Sequence, residues 1–267
     1  MATEYMFKSL KAYLKRAPSL KGAALVKLSA LRVQSDLWSG FTNISLLTSR
    51  LQSVEISSDN WIENVLNIYK RKFITPLQTQ YNSEPHQTWA YPTVSKTFYD
   101  TLSHSIVIPL SVILRPYFAE QLPPYLQYAS VGVVIAKEIL RSITKSFEEK
   151  AMRCVPKSVN IFSNYSRMDI LIHSGGMQIS YHSMLSLTGP TKGMPRLPGL
   201  NLTPTQVFFL VSAQELCAES QYAGIDTDAA DFENILGWLV AQGGSASEVY
   251  RCPVGSMINA QKTCNVL

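Results

Sequence analysis

The sequence predicts a mainly α-helical protein of the α+β class with one small β-hairpin, and three observations predict it. Apolar residues recur at helical spacing, as in the series Leu10, Leu14, Leu20, Leu25, Leu28 and Leu31. Two short runs, 94–99 and 104–109, are strand-like instead, and Asp100-Thr101-Leu102-Ser103 between them reads as a hairpin turn. A content of 46% hydrophobic and 16% charged residues over 267 positions suits a globular chain able to bury a substantial core.

The elements follow in order. From Glu4 to Val33 the pattern is helical, with a break at Pro18, where an interior amide donor is lost. Residues 38–58, rich in Ser and Thr, read as loop with short elements. Asp59-Asn60 supplies a cap for a helix through Trp61, Val65, Leu66 and Tyr69. Three prolines, Pro76, Pro85 and Pro92, make residues 75–93 an irregular connection into the hairpin. A helix is expected from about Pro124 to Ser146, another over 168–187 interrupted by Gly175-Gly176, and a third over 203–222 with Pro204 in its first turn. Phe208, Phe209, Met152, Met168 and Met177 read as core, and no internal repeat or low-complexity segment occurs.

Charge and cysteine usage narrow the class. The net charge of +5 is a mild excess, and nothing resembles a nucleic-acid-binding module. Its one basic cluster, Lys8, Lys11, Lys15, Arg16, Lys21 and Lys27, reads as the solvated face of amphipathic helices. No run approaches the roughly 18–20 apolar residues of a membrane span, and the longest, Ser105 to Leu114, is broken by Pro109. The first residues lack the basic start and apolar run of a secretory signal, yet Asn43, Asn164 and Asn201 each open a glycosylation sequon. Four cysteines allow full pairing in three connectivities.

The most telling stretch is Val133-Val134-Ile135-Ala136-Lys137-Glu138-Ile139-Leu140-Arg141. A zinc-protease helix of the HExxH type sets two His at i and i+4 on one face, with a Glu beside the first as general base. Here the apolar lead-in and Glu138 are present, while Lys137 and Arg141 stand at the two His positions. Ordered downstream landmarks extend the pattern. They are Leu197-Pro198-Gly199-Leu200, Thr203-Pro204-Thr205-Gln206-Val207-Phe208-Phe209-Leu210, Ala213-Gln214 with Cys217, Cys252-Pro253-Val254-Gly255-Ser256, and Cys264-Asn265-Val266-Leu267. Upstream, Phe98-Tyr99, Ile106-Val107-Ile108-Pro109 and Leu126-Gln127-Tyr128 fit the same order. Together these resemble the C-terminal catalytic region of the neprilysin and endothelin-converting-enzyme family of zinc metallopeptidases. The resemblance runs from about Trp89 to Leu267. It implies a zincin-like domain over 89–267, preceded over 1–88 by a helical segment similar to the end of the family's N-terminal region.

The resemblance also assigns positions. Lys137, Arg141 and Asp169 fall at the three zinc-ligand positions, and Glu138 at the general base. His173 takes the place of a carboxylate that orients a ligand, and Lys96-Thr97 replace an Asn-Ala pair that holds substrate backbone. A His and an Arg expected between Asp226 and Gly237 are absent. The segment after the altered motif is shorter than in the family. A disulfide between Cys154 and Cys264 is implied, leaving Cys217 and Cys252 as matches to family cysteines paired in the N-terminal half. That half also carries the family's membrane anchor, so an extracellular or membrane-associated location is implied by resemblance alone.

The chemistry at these positions differs from the family's. Lysine ammonium and arginine guanidinium have no lone pair to give zinc near neutral pH, and a base without metal-bound water lacks an activated nucleophile. The expectation is therefore a truncated, catalytically inactive homologue with no metal and no cofactor where the family uses zinc, and with a peptide- or protein-binding role. The competing expectation is a zinc metalloendopeptidase using Glu138, Asp169 and His173 as atypical ligands. A Ser-His-Asp hydrolase finds no G-x-S-x-G elbow. Charge balance suggests that Lys137 and Arg141 occupy the space of the dication and pair with Glu138 and Asp169; the other outcome is that both extend to water.

Overall fold

The leucine series at the N-terminus forms two helices, α1 (Ala2–Lys15) and α2 (Ala23–Ala30), with Leu10, Leu14 and Leu28 fully buried. The structure is a computed structural model and describes residues 2–18, 20, 22–34, 44, 45, 48, 52, 54–81, 96–101, 103–115, 117–146, 167–189, 194–222, 237, 245–256 and 259; for 2, 72–81, 146, 167 and 216–222 it describes the backbone alone. Helical geometry stops at Leu31, whose φ of −61° and ψ of 129° are extended, and the chain enters strand β1 (Arg32–Gln34). This corrects the helical reading through Val33. The Lys11 ammonium donates to the carbonyls of Ser29 (2.9 Å) and Leu31 (2.6 Å), ending α2 with a cation on carbonyls the helix leaves unpaired. Arg32 N–H then donates to the His104 carbonyl instead of continuing the helix.

The hairpin expected from the sequence is present as β2 (Phe98–Asp100) and β3 (Ser105–Val107), paired antiparallel with Tyr99 opposite Ile106. β1 adds parallel to β3, with Val33 opposite Ile106, giving the order β1-β3-β2 and leaving β2 on an edge. The turn places His104 at a φ of +48°. Its Nε2 lies 2.8 Å from the Lys27 carbonyl, which can only accept, so Nδ1 accepts from the Tyr99 hydroxyl at 2.6 Å.

Helix α3 (Trp61–Tyr81) starts on an Asn60 cap: Glu63 N–H donates to Asn60 Oδ1 (3.2 Å), and Asn60 Nδ2 donates to the Glu63 carboxylate (3.0 Å). The helix runs on through Pro76, which corrects the irregular segment expected from residue 75. After α4 (Leu110–Ile113), the expected helix from Pro124 is one continuous rod of four pieces. These are α5 (Pro124–Gln127), a π-helical turn (Tyr128–Gly132), α6 (Val133–Ile143) and a 3₁₀ turn (Thr144–Ser146). Side-chain hydroxyls hold the π turn: Ser180 donates to the Tyr128 carbonyl (2.6 Å), Ser212 to that of Ala129 (3.1 Å), and Ser9 on α1 bonds the Tyr128 hydroxyl (2.8 Å). Such bonds satisfy groups that a widened turn leaves poorly paired.

α7 (Arg167–Thr188) is unbroken through Gly175-Gly176, where an interruption was expected. The glycine is used for packing: a Cβ on Gly176 would lie 2.7 Å from Lys137 Cγ and 3.1 Å from Lys137 N. α8 (Pro204–Tyr222) opens with Thr203 as cap and Pro204 first, Gln206 N–H donating to Thr203 Oγ1 (3.3 Å) and Thr203 N–H to Gln206 Oε1 (2.8 Å). α9 (Ser245–Tyr250) packs on α8. α6 is the buried centre, lying along α7 and meeting α1, α2 and the sheet. Phe208, Phe209 and Met177 are core as expected, and Met168 is half-buried against it; Met152 lies outside the described residues.

Candidate functional site: a buried charge cluster

Ten of the eleven residues of α6 are buried, all but Arg141, so its polar side chains must find partners inside the protein. Lys137, 4% exposed, donates from Nζ to Glu215 Oε1 of α8 at 2.8 Å. The Glu215 side chain is 8% exposed, so little of this ion pair meets water on either side. Arg141, one turn on, is half-buried and bridges two carboxylates, with Nε at 3.3 Å from Glu138 Oε2 and Nη1 at 3.1 Å from Asp169 Oδ1 of α7. Among the described residues, the ion pairs expected with Glu138 and Asp169 are made by Arg141. Lys137 takes Glu215, a residue the sequence reading missed. The faint signal was a carboxylate continuing the buried 208, 212, 215 face of an otherwise apolar helix.

Glu138 is held from a second side, its Oε2 accepting the Tyr99 N–H of edge strand β2 at 2.9 Å. Burial raises its pKa, with Arg141 and Lys137 pulling the other way. Burial also opposes charge on Arg141, but Glu138 and Asp169 outweigh it and raise the guanidinium pKa. His173, one turn after Asp169, is buried and its pKa is driven well below 6.5, first by burial and then by Lys137, Arg141 and Lys96. The ring is therefore neutral at pH 7. Lys96 is exposed at the site's edge, while Thr97 is buried with Oγ1 lacking a hydrogen-bond partner. The structure thus gathers Lys96, Lys137, Glu138, Arg141, Asp169 and His173 in one region. Cys154 and Cys264 lie outside the described residues, and Cys252 is a free, partly buried thiol.

The donor chemistry does not fit zinc. Lys137 Nζ and Arg141 Nε and Nη1 are cationic N–H donors directed at carboxylates, with no lone pair to offer a metal. Among the described residues no three His, Cys, Asp or Glu side chains form a metal-binding group, so Glu138, Asp169 and His173 do not assemble as the atypical set. The cluster instead balances charge. Glu138 and Asp169 flank one guanidinium, and Glu215 neutralises the ammonium.

Comparison with known proteins gives this geometry a family context. Residues 96–151 match the sequence model of Peptidase family M13. An endothelin-converting enzyme homolog of Locusta migratoria is 25% identical over 259 residues, covering 82% of this chain and 35% of that protein. Endothelin-converting enzyme 1 of Homo sapiens is 23% identical over 243 residues, covering 78% of this chain and 31% of that one. Among solved structures, the Haemonchus galactose containing glycoprotein complex aligns at a TM-score of 0.70 and 17% identity, over 100% of this chain and 48% of its own. A zinc metalloprotease of Mycobacterium tuberculosis, solved with an inhibitor, aligns at 0.63 and 15%, over 97% and 45%. The chain spans about a third of the length of the curated relatives it matches. Among the described residues, no helix is long and apolar enough to cross a membrane.

Proposed function

We propose that this chain, similar to Peptidase family M13 over residues 96–151 and to endothelin-converting enzymes over most of its length, is a non-catalytic member of that family that binds a peptide or protein partner. The observation that carries this reading is the buried Lys137–Glu215 pair. A lysine at the first ligand position fills the space a metal would need, and a carboxylate on a third helix compensates its charge. Arg141 at the second position engages both Glu138 and Asp169, the general-base and third-ligand positions. Glu138 is then an idle base, with a guanidinium and a backbone amide in place of a metal-bound water. Lys96 and Thr97, at the positions where the family holds substrate backbone, are the first residues to test for partner contact.

The test is the zinc content of purified, dialysed protein, with the folded fraction measured by circular dichroism on the same sample. The expected result is folded protein with far less than one zinc per chain and no chelator-sensitive peptide cleavage. Stoichiometric zinc in folded protein, lost together with a cleavage activity on chelation, overturns the proposal.

A further inference from the structure

Some two and a half turns beyond His173 on α7, a separate cleft of about 370 Å³ opens between α7 and the end of α1. Tyr13, Arg16 and Pro18 from the end of α1 line it together with Gln178, Ile179 and His182 of α7. The α7 residues sit at i, i+1 and i+4, which places them on one helical face. The rings of Tyr13 and His182 are stacked, 6.1 Å apart between centroids with 11° between their planes, and give the cleft an aromatic wall. Burial lowers the pKa of His182, so the wall is neutral at pH 7. Burial raises the pKa of the Tyr13 hydroxyl, which Arg16 partly offsets, consistent with a guanidinium close to that ring.

The charges around this cleft are unevenly used. Lys8 pairs with Glu4, and Lys11 is turned onto the α2 carbonyls. Arg16 has no carboxylate partner among the described residues. It lines the cleft together with aromatic and apolar side chains and the Gln178 amide. A planar guanidinium beside a flat ring surface matches a ligand that presents a planar anion and a planar apolar body. The volume lies at the low end for small-molecule sites, and one guanidinium suits a monoanion.

We propose that this cleft is a binding site for a small aromatic carboxylate, whose ring lies against Tyr13 and His182 and whose carboxylate pairs with Arg16. The site shares no lining residue with the charge cluster on α6. It is tested by ligand-observed NMR on the whole chain with benzoate, benzamide and acetate as probes, while the imidazole signals of the protein are followed. The chain has only four histidines, so His182 can be assigned by substitution. Benzoate is expected to bind at least roughly tenfold more tightly than benzamide or acetate and to shift the His182 signals. Arg16→Gln, an exposed change that leaves the fold intact, is expected to abolish the preference for benzoate over benzamide; His182→Leu is expected to weaken both. Absence of benzoate binding to folded protein, an unchanged preference in Arg16→Gln, or shifts confined to other histidines overturns the proposal.

Discussion

A buried lysine ammonium needs a compensating charge, and Glu215 supplies one at 2.8 Å, so the pair is best probed one partner at a time. Lys137→Met alone removes the cation 2.8 Å from the Glu215 carboxylate and is expected to cost up to about 3–5 kcal/mol; Glu215→Leu alone should cost a similar amount. The double change Lys137→Met with Glu215→Leu should recover most of the loss, because two apolar side chains replace two compensated charges. Urea midpoints of the three variants check this. Asp169→Ala should cost less than about 1 kcal/mol, since both it and Arg141 are partly exposed and Glu138 still engages the guanidinium. His173 adds a pH dependence. Its folded-state pKa lies well below 6.5, so as pH falls through 6.5 the unfolded chain takes up a proton that the folded chain refuses. Stability should fall by up to about 1.4 kcal/mol per pH unit below that point. His182 acts with the same sign, whereas Glu138, with a raised pKa, acts with the opposite sign at lower pH. Urea midpoints between about pH 7.5 and about pH 5.5 should therefore show a shallower slope for His173→Gln than for the parent. Lys137, Arg141, Asp169 and His173 were legible as a constellation from spacing and resemblance. Glu215 was not, because its role exists only once α8 crosses α6.

At the level of elements, local chemistry that closes on itself was readable, and chemistry that depends on a neighbour was not. Thr203-Pro204-Thr205-Gln206 and Asn60 to Glu63 cap their helices within four residues, and the hairpin turn lies between its own strands. β1 is a strand because β3 offers it hydrogen bonds, and the π turn persists because hydroxyls from α1, α7 and α8 reach it. Gly176 illustrates the same point. In isolation a mid-helix glycine is unfavourable by about 1 kcal/mol relative to alanine, which argued for an interruption. In the fold it lets α7 approach the Lys137 backbone. Gly176→Ala should therefore destabilise by about 1–3 kcal/mol despite the better helix propensity, because a backbone atom cannot move aside as a side-chain tip can. Ser174→Ala, two residues away on the same helix, should be neutral or stabilising, since its buried hydroxyl has no hydrogen-bond partner. Thermal melts of the two variants side by side separate packing from propensity.

For the molecule as a whole, the question is whether the N-terminal helices are an appendage or part of the unit that holds the charge cluster. Leu10, Leu14 and Leu28 share one buried cluster with Ile135 and Ile139 of α6, and β1 is bonded into the sheet that carries Tyr99. Ser9 further ties α1 to the π turn that sets where α6 begins. If residues 2–34 and the α6–α7 core form one cooperative unit, Leu10→Ala should cost about 2–5 kcal/mol and shift the whole transition. Amide exchange supplies the sharper reading, because it reports opening segment by segment. The α6 amides around Ile139 should lose protection by the same free energy as those of α1. Retention of full α6 protection in Leu10→Ala, with rapid exchange confined to residues 2–34, would separate the two parts. The outcome bears on function directly. A cooperative unit links the α1–α7 cleft to the charge cluster through α7, so a ligand stabilising one should raise protection in the other.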